Sequence, residues 1–215
     1  MKNFHLLLVL ISTLQISYSE KIRVSLYIES LCPDTTRFIQ SSLLKALKTP
    51  SFDELVELRF IPYGKASQNQ QSNGSIIFKC QHGDLECFGN KLQACGFNVL
   101  SAQNEQLKFL ICIQKTRKRQ IEDFESELKS CLPDLWEGVL KCANGTQGIE
   151  LLWENGEETL NLDPKLTYVP WVTVNHKFET KAHEMIERNI VQWACQFANK
   201  EKEKYIQIEA CQEYN

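Results

Sequence analysis

The segment Cys32-Pro33-Asp34-Thr35 holds the residue types best suited to chemistry. It follows an apolar alternation (Ile22, Val24, Leu26, Ile28) that reads as a half-buried strand. It precedes Phe38, Ile39, Leu43, Ala46 and Leu47 at helical spacing, with Thr49-Pro50 as the stop. Pro33 suits the first helical position, where a missing N–H costs nothing, and Asp34 suits the first turn. Cys32 therefore falls at or beside a helix N-cap. A thiol there faces unpaired N–H groups and the positive end of the helix dipole, which favour thiolate, the form that attacks disulfides. Asp34 works against this through like charge. The plainer alternative is a structural cysteine paired with one of the other eight.

The elements that would position this thiol recur at the far end of the chain. A second strand is expected from about Leu55 to Ile61, which makes a β-α-β start to an α/β layer. Val169-Pro170-Trp171-Val172-Thr173-Val174 reads as a strand with a proline inside it, which calls for an edge position or a cis bond. Asn175-His176 reads as a turn, residues 177 to 180 as a short returning strand, and Ile186, Ile190, Val191, Trp193 and Ala194 as the apolar side of a closing helix. A strand–Cys-Pro-x-x–helix seam facing a cis-proline is the arrangement of thioredoxin-like folds. There the residue before the proline, here Val169, offers backbone hydrogen bonds to an extended substrate beside Pro170. Between the two α/β parts, residues 66 to 75 read as a polar exposed loop. Residues 86 to 153 carry helical periodicity in short pieces. The expected organisation is one α/β domain over residues 20–215 with a disulfide-rich helical insertion at roughly 66–160.

Met1, Lys2, an apolar run from Leu6 and the small residues Ser17 and Ser19 resemble a signal peptide over residues 1–19. No segment reaches the roughly 20 apolar residues that span a bilayer, so no membrane span is expected. The chain has 24 basic and 27 acidic side chains, and residues 1–19 hold only Lys2 among them. An acidic mature chain argues against nucleic acid as a partner. The basic run Lys115 to Arg119 lies in a helical pattern and reads as a solvated face, with processing after Lys118-Arg119 as the lesser alternative. Nine cysteines follow the signal, an odd count that leaves one thiol over in an oxidising compartment. That leftover thiol also allows a disulfide-linked dimer through Cys32. Asn73-Gly74-Ser75 and Asn144-Gly145-Thr146 are glycosylation sequons beside turn-forming glycines, which makes Asn73 and Asn144 candidate acceptors.

Cys80-Gln81-His82-Gly83-Asp84-Leu85-Glu86-Cys87-Phe88-Gly89-Asn90-Lys91-Leu92-Gln93-Ala94-Cys95 resembles the C-Q-H-G-x-x-E-C-x-x-N-x-x-x-x-C signature of the gamma-interferon-inducible lysosomal thiol reductase family. Every specified position matches: Cys80, Gln81, His82, Gly83, Glu86, Cys87, Asn90 and Cys95. The resemblance implies a thioredoxin-like fold and reduction of disulfide-containing proteins or peptides in acidic endosomal or lysosomal compartments. It implies no cofactor. A zinc site from Cys80, His82, Cys87 and Cys95 is disfavoured because the spacing lacks the paired ligands of common zinc motifs; no metal is expected. His82 and Glu86 are read as organising the insertion.

One position departs from the family. Its dithiol enzymes carry C-x-x-C, whereas Thr35 stands where the second cysteine would be. A hydroxyl can hydrogen-bond a thiolate but cannot release a mixed disulfide. The expected activity is thiol–disulfide exchange through Cys32 by a monothiol route, with a small thiol as external reductant, in a secreted or endosomal/lysosomal setting. The alternative is a non-catalytic thioredoxin-like binding protein. Cys80, Cys87, Cys95, Cys112, Cys131, Cys142, Cys195 and Cys211 are expected to pair among themselves. Cys195 and Cys211 bracket the charged stretch from Lys200 to Lys204 and are expected to bond to each other, and the other pairings stay open.

Overall fold

The computed structural model describes residues 20–115 and 120–201 together with 211 and 214. Residues 1–19, the expected signal peptide, and residues 116–119 of the basic run lie outside them. Strand β1 (Ile22–Ile28) leads through Cys32 into helix α1 (Pro33–Phe38), a π-helical stretch (Ile39–Leu43) and α2 (Leu44–Lys48). A one-turn helix α3 (Phe52–Leu55) then feeds strand β2 (Val56–Pro62). β1 and β2 pair in parallel from Ile22↔Val56 to Ile28↔Pro62. Parallel pairing needs a crossover, and α1 to α3 supply it. β5 (Trp171–Val174) lies antiparallel on the other side of β1, from Val24↔Val174 to Tyr27↔Trp171. The sheet order is β2-β1-β5.

This central position corrects the half-buried reading of β1. Every residue from Val24 to Ile28 is buried. Val24, Leu26, Val172, Leu43, Ile186 and Ile190 share one core cluster, while Tyr27 faces the other way onto Ile61 and Trp171. The covering residues of that second face come from the far end of the chain, beyond the reach of a local pattern.

Between β2 and β5 come the hairpin strands β3 (Ser67–Gln70) and β4 (Ile76–Lys79), then α4 (Asp84–Val99), α5 (Gln103–Ile113), α6 (Ile121–Cys131), α7 (Trp136–Asn144) and α8 (Thr146–Leu160). Residues 66–75 are thus not simply a loop: part of them pairs from Ser67↔Lys79 to Gln70↔Ile76. The strand is polar because it belongs to a separate two-stranded ribbon and is mostly solvated. α5 ends at Ile113, so Lys115 lies beyond the helix. The helices enclose a core of their own, including Leu92, Phe109, Ile113, Phe124, Leu128 and Val139. Phe124 and Leu128 sit one turn apart on α6 and are fully buried, each worth about 1.5–3 kcal/mol of burial.

α9 (Thr180–Lys200) closes the domain. The expected returning strand before it reduces to a single bridge, Val174↔Lys177. Asn175 and His176 both have positive φ (47° and 67°), the tight turn that suits a twisted hairpin. α9 begins only three residues past that bridge, which leaves no length for a ladder. Within α9, Asn189 departs from helical geometry (φ −163°, ψ 94°). There Ser42 Oγ accepts the Ile190 N–H at 2.8 Å and donates to the Ile186 carbonyl at 2.6 Å.

Candidate active site

Cys32 caps α1 with extended backbone (φ −69°, ψ 125°), and Pro33 follows in the first turn with Asp34. Its carbonyl accepts the Thr36 N–H at 3.0 Å and the Thr36 hydroxyl at 3.2 Å. The thiol is free and 7% exposed. Its Sγ lies 4.0 Å from the carbonyl oxygen of Val169, 137 residues away in sequence. The Val169–Pro170 bond is cis, and Pro170 immediately precedes β5 and does not lie inside it. Proline at that point removes no ladder donor, which a position within the strand would have done.

The surroundings on the proline side are aromatic. Trp171 stacks on Phe178 with ring centroids 3.7 Å apart, and Tyr168 meets Trp171 edge-on at 5.0 Å. His183 of α9 is buried beside Tyr168 and Phe178. Burial holds its imidazole below the ordinary value, against a smaller opposing pull from Glu184. Glu187 is pushed up by burial and then by Asp34 and Glu184, with Arg37 opposing. Arg37 in turn pairs with Asp34 at 2.7 Å on the surface. Thr35 is fully buried and its Oγ1 makes no hydrogen bond. The contact to sulfur that its hydroxyl could have offered is therefore not formed.

The signature segment braces the loop that carries Cys32. Asn90 is fully buried, and its Oδ1 accepts the Ser30 N–H at 2.9 Å. Ser30 Oγ donates to the Glu86 carbonyl at 3.0 Å. A Cβ at Gly89 would come within 2.4 Å of Ser30 Oγ, so only glycine lets α4 approach this closely. Gly83 opens α4 with φ 82°, and Gln81 is exposed on the preceding turn. Glu29, Ser30 and Gln114, whose Nε2 donates to the Glu29 carbonyl at 3.4 Å, were not singled out in the sequence. Glu29 ends an apolar strand beside a turn, where an acid ordinarily signals exposure. Here it is fully buried, and burial together with the Glu86 charge pushes its carboxyl up to about 7.

The other cysteines form four disulfides: Cys80–Cys87, Cys95–Cys142, Cys112–Cys131 and Cys195–Cys211. Their sulfurs are thereby withdrawn from any zinc site at Cys80, Cys87 and Cys95. Asn73 sits exposed in the β3–β4 turn beside Gly74 (φ 84°), and Asn144 is exposed at the end of α7.

Fold and site together define an α/β domain whose single free cysteine, among the described residues, faces a cis-proline peptide. A family model described as gamma interferon inducible lysosomal thiol reductase (GILT) matches residues 23–135. The chain is 34% identical over 192 residues to GILT-like protein 1 of Drosophila melanogaster, covering 83% of this chain and 76% of that protein. It is 35% identical over 164 residues to the gamma-interferon-inducible lysosomal thiol reductase of Mus musculus (74% and 62% covered). It is 30% identical over 189 residues to that of Carassius auratus (84% and 70%). This protein belongs to the GILT family. No helix among the described residues is long and apolar enough to cross a membrane.

Proposed function

We propose that this protein is a thiol–disulfide oxidoreductase of the secretory or endolysosomal lumen, built on a thioredoxin-like fold and acting on protein or peptide disulfides through Cys32. The observation that carries the reading is the placement of Cys32 Sγ 4.0 Å from the Val169 carbonyl, ahead of cis-Pro170. An extended substrate strand would add to the Val169 backbone by β-pairing, which brings its disulfide to the sulfur. The thiolate attacks one substrate sulfur, a mixed disulfide forms, and the other substrate sulfur leaves as thiolate and takes up a proton. A small thiol then attacks the Cys32 sulfur of the mixed disulfide, which releases the fully reduced substrate and leaves the small thiol bonded to Cys32. A second small thiol attacks the sulfur of the first, which frees the Cys32 thiolate and leaves as the small-molecule disulfide. Names of relatives that include thiol reductase support this chemistry. Residues 1–19 as a signal, the sequons at Asn73 and Asn144 and the four disulfides support the lumenal setting.

Thr35 favours a second reading. Its buried hydroxyl has no partner and cannot resolve a mixed disulfide, as would suit a groove kept for binding alone. Trapping separates the two. The mature protein, incubated with a disulfide-bearing peptide, should form an adduct that Cys32→Ser does not form. That adduct should persist until cysteine or glutathione is added, and Thr35→Cys should speed its release by about tenfold or more, because the resolving thiol is then internal. Absence of both adduct and exchange in wild type and in Thr35→Cys would replace the enzyme with the binding protein.

A further inference from the structure

Three side chains outside the thiol chemistry converge beneath the loop that carries Cys32. Glu29 comes from the end of β1, His82 from the loop before α4, and Glu86 from the first turn of α4. The two carboxylates are 0% and 1% exposed, while the imidazole is 33% exposed. One donor atom from each lies within 4.8 Å of the others. His82 Nδ1 is 2.5 Å from Glu86 Oε2 and 3.7 Å from Glu29 Oε2.

Each carboxylate is aimed by a backbone amide on its other oxygen. Glu29 Oε1 accepts the Lys65 N–H at 2.7 Å, and Glu86 Oε1 accepts the His82 N–H at 3.1 Å. Both Oε2 atoms are thereby turned toward the imidazole. Glu29 Oε2 is buried and has no hydrogen-bond partner. Gly64 adds a backbone approach that no side chain would allow, since a Cβ there would fall 2.2 Å from Glu29 Cγ. The Cys80–Cys87 disulfide closes the loop between His82 and Glu86. Two carboxylates brought together away from water call for positive charge between them, as protons or as a cation.

We propose that Glu29, His82 and Glu86 form a binding site for one divalent transition-metal ion, of which zinc is the natural probe. The donor set, one imidazole and two carboxylate oxygens, is suited to such ions. Bonds of about 2.0–2.2 Å place neighbouring donors about 3.3–3.6 Å apart around a tetrahedron. The Glu29–His82 pair, at 3.7 Å, lies about 0.1 Å beyond that spacing. The Glu86–His82 pair must open by about 1 Å, as expected when an ion takes the place of a shared proton. The exposed edge of His82 leaves a direction from which water can supply the fourth ligand. The amide bonds to Glu29 and Glu86 are the orienting contacts that metal carboxylates ordinarily have. This site stands independently of the thiol reaction.

The test is zinc titration by calorimetry at neutral pH on chelator-treated mature protein. It is run in wild type and in Cys32→Ser, so that the thiol cannot supply the site. The expected result is one ion per chain in both proteins. Affinity should fall at least tenfold in Glu29→Gln and in His82→Ala, and stay unchanged in the surface control His176→Ala. Cobalt in place of zinc should give a visible band without the near-ultraviolet thiolate band. His82 is part-exposed, so His82→Ala decides the matter should Glu29→Gln fail to fold. Zinc binding that vanishes in Cys32→Ser, that is equal in wild type and His82→Ala, or that is absent altogether would overturn the site.

Discussion

Around Cys32 the chain is held by strand register and apolar burial: β1 pairs with β2 and β5, and α9 covers the sheet. Across the loop from it, the helices α4 to α7 have a core of their own and are tied covalently as well. Cys95–Cys142 joins α4 to α7, Cys112–Cys131 joins α5 to α6, and Cys80–Cys87 closes the turn before α4. The contrast separates two requirements of a thiol protein. One sulfur must stay free, and the others must be unable to compete with it. The stapled region also reaches across: Asn90 and the Glu86 carbonyl hold Ser30, two residues before the thiol.

The comparison breaks most severely if the staples prove idle. Cys95–Cys142 encloses the longest of these loops, with a separation of 47 residues, for which chain entropy predicts about 4 kcal/mol. Replacing both cysteines by alanine should lower urea stability by about that amount. The same change at Cys80 and Cys87, separated by 7 residues, should cost about 2 kcal/mol. Equal losses would mean that loop length does not govern this region.

Coupling between the regions is tested next by Asn90→Ala. It leaves the buried Ser30 N–H without its acceptor, at a cost of about 1–3 kcal/mol. Alkylation of Cys32 as a function of pH should also change, because the loop beside the thiol is released. A variant that loses stability with an unaltered Cys32 profile would confine Asn90 to a packing role.

On the sheet side, His183 makes a pH-dependent contribution. Its ring is held below the ordinary 6.5 by burial. As pH falls through 6.5 the unfolded chain takes up a proton before the folded one does. Stability on its account is therefore complete above that value and declines in acid. His183→Phe keeps an aromatic ring beside Tyr168 and Phe178 and should flatten the decline. Unfolding midpoints at neutral and acidic pH, compared between variant and wild type, measure this; parallel curves would contradict it. The smallest effect is expected from Thr35→Val. Removing an unpartnered buried hydroxyl should leave stability unchanged or raise it by up to about 1 kcal/mol, with trapping by Cys32 retained.

Much of the frame is legible locally. The alternation in β1, Pro33 opening the first helix and the apolar stripe on α9 are all signals of one element. So is Cys195 with Cys211, which bracket a charged stretch and are bonded to each other. What escapes a linear reading depends on distant partners. Both faces of β1 are covered because Trp171 lies across from Tyr27. The β3–β4 ribbon hides in polar residues because few of them need burial. In the site, the positions of Cys32 and Val169-Pro170 could be suspected from strand, proline and helix signals, but the 4.0 Å contact needed the folded register. Glu29 gave no signal, since only the approach of α4 and the Gly64 turn buries it.

Ser42 shows how one element can dictate the shape of another. Its hydroxyl stands between the Ile190 N–H and the Ile186 carbonyl, groups one turn apart that an unbroken helix would join directly. Both of these groups remain satisfied where α9 departs from helical geometry. The segment around Asn189 contains neither proline nor glycine, and the bend is written instead into a serine 147 positions earlier. The helical run that begins at Cys32 therefore acts as a jig for α9. It sets how the forward half, with His183 beside Tyr168 and Phe178, is angled against the rear half anchored by Cys195.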